Sequence, residues 1–400
     1  MTHHLRQYFA NPVLRMVFWA TVLSGAMAAP IGTYQSLIAI ERLGVADGQF
    51  AAILFLGLVV GTIASLWIGV VTDQRPWRRK AGLAVAGGLA LGNILMWLAP
   101  SAPMFLAVHG FLLPLMVTLF GQLFALARLA AGNLPAADRD AAVANVRAFF
   151  AVPFIFVLPI WGWLVGSGAS LLSVYGAGSV LALIMVAVIY RGWPDDANAP
   201  WEDRKSGLTL RGSLAEIADP AVIVRVALIG LIHVGASASG IVLGLIFARA
   251  DGQGAGDVAL FFGAFVAIEF AVMMMIGILR ARWRRLHIIT VGVILYGIYL
   301  VGLPLLAGSP LVWLLILPAG AGGAMIYALA VGYLQDLLGT RAGAGSSLIA
   351  LQRAVAEGTG AAIFAFGTWV YGYGIVPWIA AAISILAMAA IIRLDRFRPN

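Results

Sequence analysis

The sequence predicts an all-α membrane protein, with twelve transmembrane helices in two six-helix bundles related by a pseudo-twofold axis. Three observations lead there. The first is composition: 62% of the 400 residues are hydrophobic and only 10% are charged, against roughly 45–50% and 25% in soluble domains. The second is charge placement, because nearly all of the formal +8 falls into alternate loops. The third is a repeated pattern. Gln335 to Glu357 runs from the polar end of one apolar segment, through Gly339–Gly345, into another segment carrying Arg353 and Glu357; a weaker copy lies about 206 residues earlier, from Gln122 through Arg128, Asp140 and Asn145 to Arg147-Ala148.

Twelve windows are long enough to cross a hydrocarbon core as helices of about 20 residues: 13–40, 48–71, 80–98, 102–130, 140–166, 168–190, 220–249, 255–279, 286–307, 309–335, 342–369 and 373–392. The first is too long for a cleaved leader and no small-residue cleavage site follows it, so it reads as a span. With the N-terminus inside, the inner segments hold Arg6; Arg75, Arg78, Arg79 and Lys80; Arg139; Arg191, Arg204, Lys205 and Arg211; Arg280, Arg282, Arg284 and Arg285; Arg341; and Arg393, Arg396 and Arg398. The opposite loops hold only Arg42 and Arg249. That asymmetry places both termini in the cytoplasm, and it accounts for the net charge without a nucleic-acid partner. Zero cysteines exclude disulfides, thiolate metal sites and cysteine catalysis. No metal or cofactor is expected, and the working unit is expected to be a monomer in the bilayer.

Span 1 is interrupted by Ala28-Ala29-Pro30 and carries Tyr34 and Gln35 in its second half. Span 2 ends at Gly69-Val-Val-Thr-Asp73, and a basic cluster, Arg78-Arg79-Lys80, follows. Positive-inside topology explains the basic cluster but does not ask for Asp73. Span 3 contributes Asn93. Span 4 holds His109, which reads either as a helix-to-helix hydrogen bond or as a proton carrier, and ends in Gln122–Arg128. Span 5 contains Arg147, Pro153 and Pro159, and span 6 is uniformly apolar.

Residues 192–219 are polar, proline-containing and mixed in charge. They form the candidate linker between bundles 1–191 and 220–400, and Leu208–Ala218 has the pattern of an amphipathic surface helix. In the second half, span 7 has Arg225 near its inner end and His233 near its middle. Span 8 has Glu269 near its centre and ends in Arg280-Ala-Arg-Trp-Arg-Arg285, with Ala281 where the first copy has Asp73. Span 10 carries Tyr327 and leads into Gln335-Asp336. Span 11 carries Gln352, Arg353 and Glu357. Charged groups and histidines away from helix ends thus fall in spans 4, 5, 7, 8 and 11, and spans 3, 6, 9 and 12 have none.

The Gly69–Lys80 loop resembles the loop between helices 2 and 3 of the major facilitator superfamily, with Pro76-Trp77 in place of the usual glycine near the basic pair. The polar sorting agrees with that fold, in which helices 1, 4, 7 and 10 line a cavity, 2, 5, 8 and 11 flank it, and 3, 6, 9 and 12 face lipid. Within the superfamily the chain looks like the bacterial sugar efflux transporters, through Ala29-Pro30, Asp73 with Arg78-Arg79-Lys80, Gln122–Arg128, Arg147-Ala148 with Pro159, Glu269, Gln335-Asp336-Leu337 and Arg341-Ala-Gly-Ala344. The resemblance implies a transporter of the bacterial inner membrane that exports small sugars or glycosides, driven by protons or by the substrate's own gradient. Arg353, Glu357 and His233 depart from the family pattern.

A charge at mid-bilayer costs roughly 2.5–3.5 kcal/mol on insertion scales, so such groups face a cavity and mark function. Glu269 is the leading proton-coupling residue and Glu357 its rival; Arg353 lies one turn before Glu357 on the same helix face and neutralises either acid. Tyr34, Gln35, His109, Arg147, His233, Tyr327 and Gln352 supply the amide, hydroxyl, charged and aromatic partners of a sugar. Asp73, Arg128, Asp336 and Arg341 are placed to close a cytoplasmic gate. Two other classes stay open: a transporter of the same fold for a drug or amino acid, and a membrane enzyme or receptor. The last lacks both a sizeable soluble domain and clustered acids and histidines at one interface, and no phosphate-binding glycine loop supports ATP coupling.

Overall fold

The computed structural model describes residues 8–75, 77–132, 136–195, 219–338 and 345–395. The proposed surface helix at Leu208–Ala218 and the turn through Arg341 lie outside them. Among the described residues every regular element is a helix. In lipid this follows from hydrogen bonding, since an open strand edge would leave polar backbone groups with no partner.

The N-terminal half of the chain contains α1 (Pro12–Arg42), α2 (Asp47–Gln74), α3 (Arg78–Leu98), α4 (Ala102–Ala130), α5 (Ala136–Gly166) and α6 (Ser173–Gly192). The C-terminal half contains α7 (Pro220–Ala248), α8 (Ala255–Arg282), α9 (Arg285–Leu306), α10 (Ile316–Leu338, preceded by a 3-10 turn at Pro310–Leu315), α11 (Gly345–Val370) and α12 (Ile375–Asp395). Eleven described helices are long and apolar enough to span a membrane; α11, which carries Arg353 and Glu357, is the long helix outside that set. The expected spans match these helices to within a few residues, except that α6 starts at Ser173 rather than 168 and α10 at Ile316 rather than 309, where the 3-10 turn Pro310–Leu315 leads into it. Gly168 turns the chain with φ +99°, and the Ser173 hydroxyl donates to the Ser170 carbonyl, so this stretch is a capped turn and not a helix.

Exposed large side chains confirm an apolar surround. Leu91 and Trp97 on α3, Leu183 and Ile184 on α6, Ile294, Ile298 and Leu305 on α9, and Ile385 and Leu386 on α12 all stand open. In water such a surface would aggregate; in lipid it is the solvated face.

Proximity divides the chain into two compact units, one of Met1–Gly32, Leu56–Ile160 and Gly168–Gly207, the other of Thr33–Phe55, Trp161–Ser167 and Leu208–Asn400. In the first, Asn93 of α3 donates to the Leu89 carbonyl and contacts Met27 of α1, and Gln122 of α4 donates to Thr72 of α2 at 3.2 Å. The second unit gathers the α1–α2 turn with the helices of the C-terminal half. There the Tyr373 hydroxyl donates to Asp47 at 2.8 Å, while Arg249 lies 4.2 Å over the Tyr373 ring and 3.5 Å from Glu41. Burial, and then the Asp47 carboxylate that takes its hydrogen bond, push the Tyr373 phenol up, so it remains a donor at neutral pH.

Small residues set the spacing of α9 and α10. A Cβ on Gly322 would fall 2.7 Å from the Gly292 carbonyl oxygen, whereas one on Gly277 meets nothing within 4 Å. Backbones this close gain dispersion contacts, the main cohesive force between helices in lipid. Gly322→Ala is therefore expected to cost roughly 1–3 kcal/mol by overpacking and Gly277→Ala close to nothing, as read by thermal unfolding in detergent.

Candidate functional site

The candidate site gathers residues of the second unit: Glu269 of α8 adjoins Gly323 of α10, one helical turn before Tyr327, and α11 carries Arg353 and Glu357. Arg353 and Glu357 form an ion pair through Nε and Oε1 one helical turn apart, with side chains 51% and 37% exposed. The pair is therefore partly open and not packed away among the helices. Glu269 is half-buried and lies beside Gly323: a Cβ built there would sit 3.5 Å from its carboxyl carbon.

His233 of α7 completes the cluster. It is 5% exposed, and its Nδ1 lies 2.8 Å from the Ile229 carbonyl oxygen. A carbonyl only accepts, so Nδ1 carries the hydrogen and Nε2 is left as the acceptor in the neutral ring. The ring meets Tyr327 edge-to-face, centroids 4.8 Å apart. Next to it is a cavity of about 10 Å³ lined by Ile232, His233, Ala236, Tyr296, Gly323, Ile326 and Tyr327. That is the size of one water molecule and far too small for a sugar.

These helices meet closely because α7 and α11 touch through Gly230: a Cβ there would lie 2.7 Å from Val355 and 2.8 Å from the Gln352 carbonyl. This contact brings the backbone of Gln352 against α7, while its side chain is half-buried.

The other expected site residues are distributed differently. His109 is in the first unit, stacked on Phe105 at 3.9 Å and hydrogen-bonded to the Tyr175 hydroxyl at 2.7 Å. Tyr34 and Gln35 are on α1 in the second unit; the Tyr34 hydroxyl is fully buried with no protein partner, and Gln35 is half-buried. Arg128 stands exposed in the last turn of α4. Asp73, Arg147 and Asp336 belong to α2, α5 and α10, but their side chains, like all of Arg341, lie outside the described residues.

Sequence reasoning missed Tyr296, whose hydroxyl lies 3.2 Å from Ser239 Oγ, and a half-buried knot between α7, α10 and α12. In that knot Arg225 donates to Asp395 at 3.0 Å, and the Tyr333 hydroxyl donates to the other oxygen of Asp395 at 2.8 Å. The side chains of Arg225 and Asp395 are 14% and 7% exposed. A signal was present: Asp395 is the one acid after Glu357, and an intramembrane arginine requires a partner.

A sequence profile of the Major Facilitator Superfamily matches residues 120–361, more than half of the chain and parts of both halves. The chain belongs to the major facilitator superfamily. As a member it is a membrane transporter and not an enzyme. Over 392 residues it is 23% identical to a curated protein of Deinococcus radiodurans named "Putative sugar efflux transporter", covering 95% of this chain and 97% of the relative. Its fold is similar to that of the nucleoside transporter NupG, with TM-score 0.77 and 12% identity over 96% of this chain and all of the other. It is also similar to a peptide transporter, POT, in complex with sulfate, with TM-score 0.75 and 11% identity over 98% of each chain. At such identities the likeness shows a shared major facilitator fold.

The knot and the open pair make contrasting predictions. Asp395→Ala removes the partner of the half-buried Arg225 guanidinium and is expected to cost about 2 kcal/mol, whereas Tyr333→Phe removes one hydrogen bond and costs about 1 kcal/mol. Denaturant unfolding of the detergent-solubilised transporter measures both.

Proposed function

We propose that this transporter exports small sugars or glycosides from the bacterial cytoplasm across the inner membrane in exchange for protons, by alternating access. The observation that carries the reading is the placing of Glu269 beside Gly323 on α10, one turn from the Tyr327 ring that meets His233, in the unit that also holds the Arg353–Glu357 pair. Coupled export needs an acid that loads and releases a proton within reach of the cargo, and Glu269 is the acid without a local cation on its own helix turn. Arg353 and Glu357 pair with each other one turn apart on α11.

Sugar as cargo is supported by the near full-length relation to the Deinococcus radiodurans protein and by the side chains available. Tyr327 and His233 offer aromatic faces and hydrogen-bonding edges, Gln352 an amide, and Tyr34 a hydroxyl without a protein partner. The cytoplasmic orientation rests on basic residues. Arg75, Arg78, Arg79, Lys80, Arg191, Arg280, Arg282, Arg284, Arg285 and Arg393 are at or near one set of helix ends, against Arg42 and Arg249 at the other. Asp73, Arg128 and Asp336 lie near the ends of α2, α4 and α10 and act with Arg341 as the cytoplasmic gate, and the transporter works as a monomer.

The test is uptake of a panel of mono- and disaccharides into inverted membrane vesicles, with and without a proton gradient. Gradient-driven accumulation of a sugar is expected in the wild type. Glu269→Gln is expected to reduce it at least tenfold, to the level reached without a gradient, while sugar exchange continues. Gradient-driven transport that survives this change removes Glu269 from coupling; movement of amino acids or drugs but no sugar replaces the cargo. A second measurement concerns the pair: exchanging Arg353 and Glu357 for one another is expected to preserve most activity, and Arg353→Ala to abolish it. Equal loss from both means that the pairing is not what matters.

A further inference from the structure

Two basic turns of the chain are disposed differently. In the turn between α2 and α3 the guanidinium groups meet protein. Arg79 donates to the Tyr190 carbonyl at 2.7 Å and lies 5.3 Å from the centre of the Tyr190 ring, Arg78 is buried, and Arg75 lies 4.8 Å over the Trp77 ring. The turn between α8 and α9 holds Arg280, Arg282, Arg284 and Arg285 within six residues. Arg285 is half-buried, whereas the other three stand exposed. Among the described residues none of those three makes a side-chain hydrogen bond or ion pair.

No Asp or Glu occurs between Glu269 and Asp336, and Ala281 stands where the α2–α3 turn has Asp73. Positive-inside topology explains the sign of these charges but not why three of them lack a partner. The surface beside them is apolar. Met274 and Ile278 are 68% and 62% exposed, and their spacing of four puts them with Arg282 on one face of α8. That strip rises about 12 Å from Met274 to Arg282. Trp283, itself exposed, lies between Arg282 and Arg284 in the sequence, and indoles favour the level where hydrocarbon gives way to headgroups.

We propose that the α8–α9 turn is a binding site for an anionic phospholipid, whose phosphate is held by Arg280, Arg282 and Arg284 and whose acyl chain covers the Met274–Ile278 strip. One molecule meets both demands of the site. A guanidinium fork donates parallel hydrogen bonds to a phosphate, and the apolar strip beside it is covered by hydrocarbon. Charge selects the headgroup: a zwitterionic lipid sets its own ammonium against the arginines, while an anionic one brings net negative charge. Guanidinium groups crowded on one turn repel one another, and a bound phosphate relieves that repulsion. The lipid thus stabilises the hairpin of α8 and α9, whatever the cargo.

The test uses the full chain purified in a non-ionic detergent, with phosphatidylglycerol added stepwise. Native mass spectrometry gives the affinity, and thermal unfolding reads the stabilisation. Phosphatidylglycerol is expected to bind and to raise the unfolding temperature, and phosphatidylcholine with the same chains to do so far less. Arg282→Gln combined with Arg284→Gln is expected to weaken phosphatidylglycerol binding about fivefold for each arginine, and so about twenty-fivefold together. Ala281→Asp supplies the acid that the other turn has at Asp73 and is expected to weaken binding about fivefold, so a failure of either variant to fold leaves the other as the test. Arg75→Gln combined with Lys80→Gln removes the same charge from the α2–α3 turn and is expected to leave the affinity nearly unchanged. Unchanged binding in the α8–α9 variants overturns the proposal. So does equal loss in the α2–α3 variant, which means diffuse attraction to the surface. Equal binding of phosphatidylcholine, or equal stabilisation by inorganic phosphate, also overturns it.

Discussion

An ionised side chain within a bilayer has to be paired or has to face water, and the second half of this transporter is arranged around that requirement. Its spans carry Arg225, Glu269, Arg353, Glu357 and Asp395, each costing a few kcal/mol if left alone in hydrocarbon. The helices meet the requirement in two ways. Arg225 and Asp395 neutralise each other away from solvent, with Tyr333 taking up the remaining carboxylate oxygen. Arg353 and Glu357 pair within one helix and stay half open, so that α11 is tolerated as a span only where its polar face meets something wet.

The same constraint governs packing. Lipid offers no hydrophobic reward for bringing helices together, so contact depends on close fit. Gly230 lets α7 approach the Gln352–Val355 stretch of α11, and Gly292 with Gly322 does the same for α9 and α10. These close approaches turn residues far apart in sequence into neighbours: His233 meets Tyr327, Tyr296 closes the cavity, and Glu269 is brought beside Gly323. The polar site is a product of glycine spacing as much as of its own side chains.

That division explains what was legible in the sequence. The helices, their ends and the odd residues out could be read because each depends on local apolar length or on the cost of one charge. Glu269, Arg353, Glu357, His233 and Tyr327 stood out on those grounds, and the structure gathers them in one unit. Partnerships were not legible, because they depend on which face each helix presents to its neighbours. His109 and His233 look alike in sequence, yet one is stacked between Phe105 and Tyr175 in the first unit while the other borders a cavity with a free ring nitrogen. Tyr296 and Gly323 carry no charge and disturb no periodicity, so nothing local marked them. Asp395 escaped notice, since its partners Arg225 and Tyr333 lie 170 and 62 positions away.

The contrast between the two ion pairs bears on which of them takes part in transport. A group that couples must exchange partners during the cycle, and the cost of separation decides whether it does so. Parting Arg225 from Asp395 breaks a charge-assisted hydrogen bond in a half-buried cluster that also holds the Tyr333 hydroxyl, a cost of about 2 kcal/mol. Parting Arg353 from Glu357 exposes two half-solvated groups to water or to cargo hydroxyls, where an exposed pair is worth only about 0–1 kcal/mol. The pair within α11 is therefore the less costly of the two to separate, while the cluster at Asp395 ties α7, α10 and α12 together.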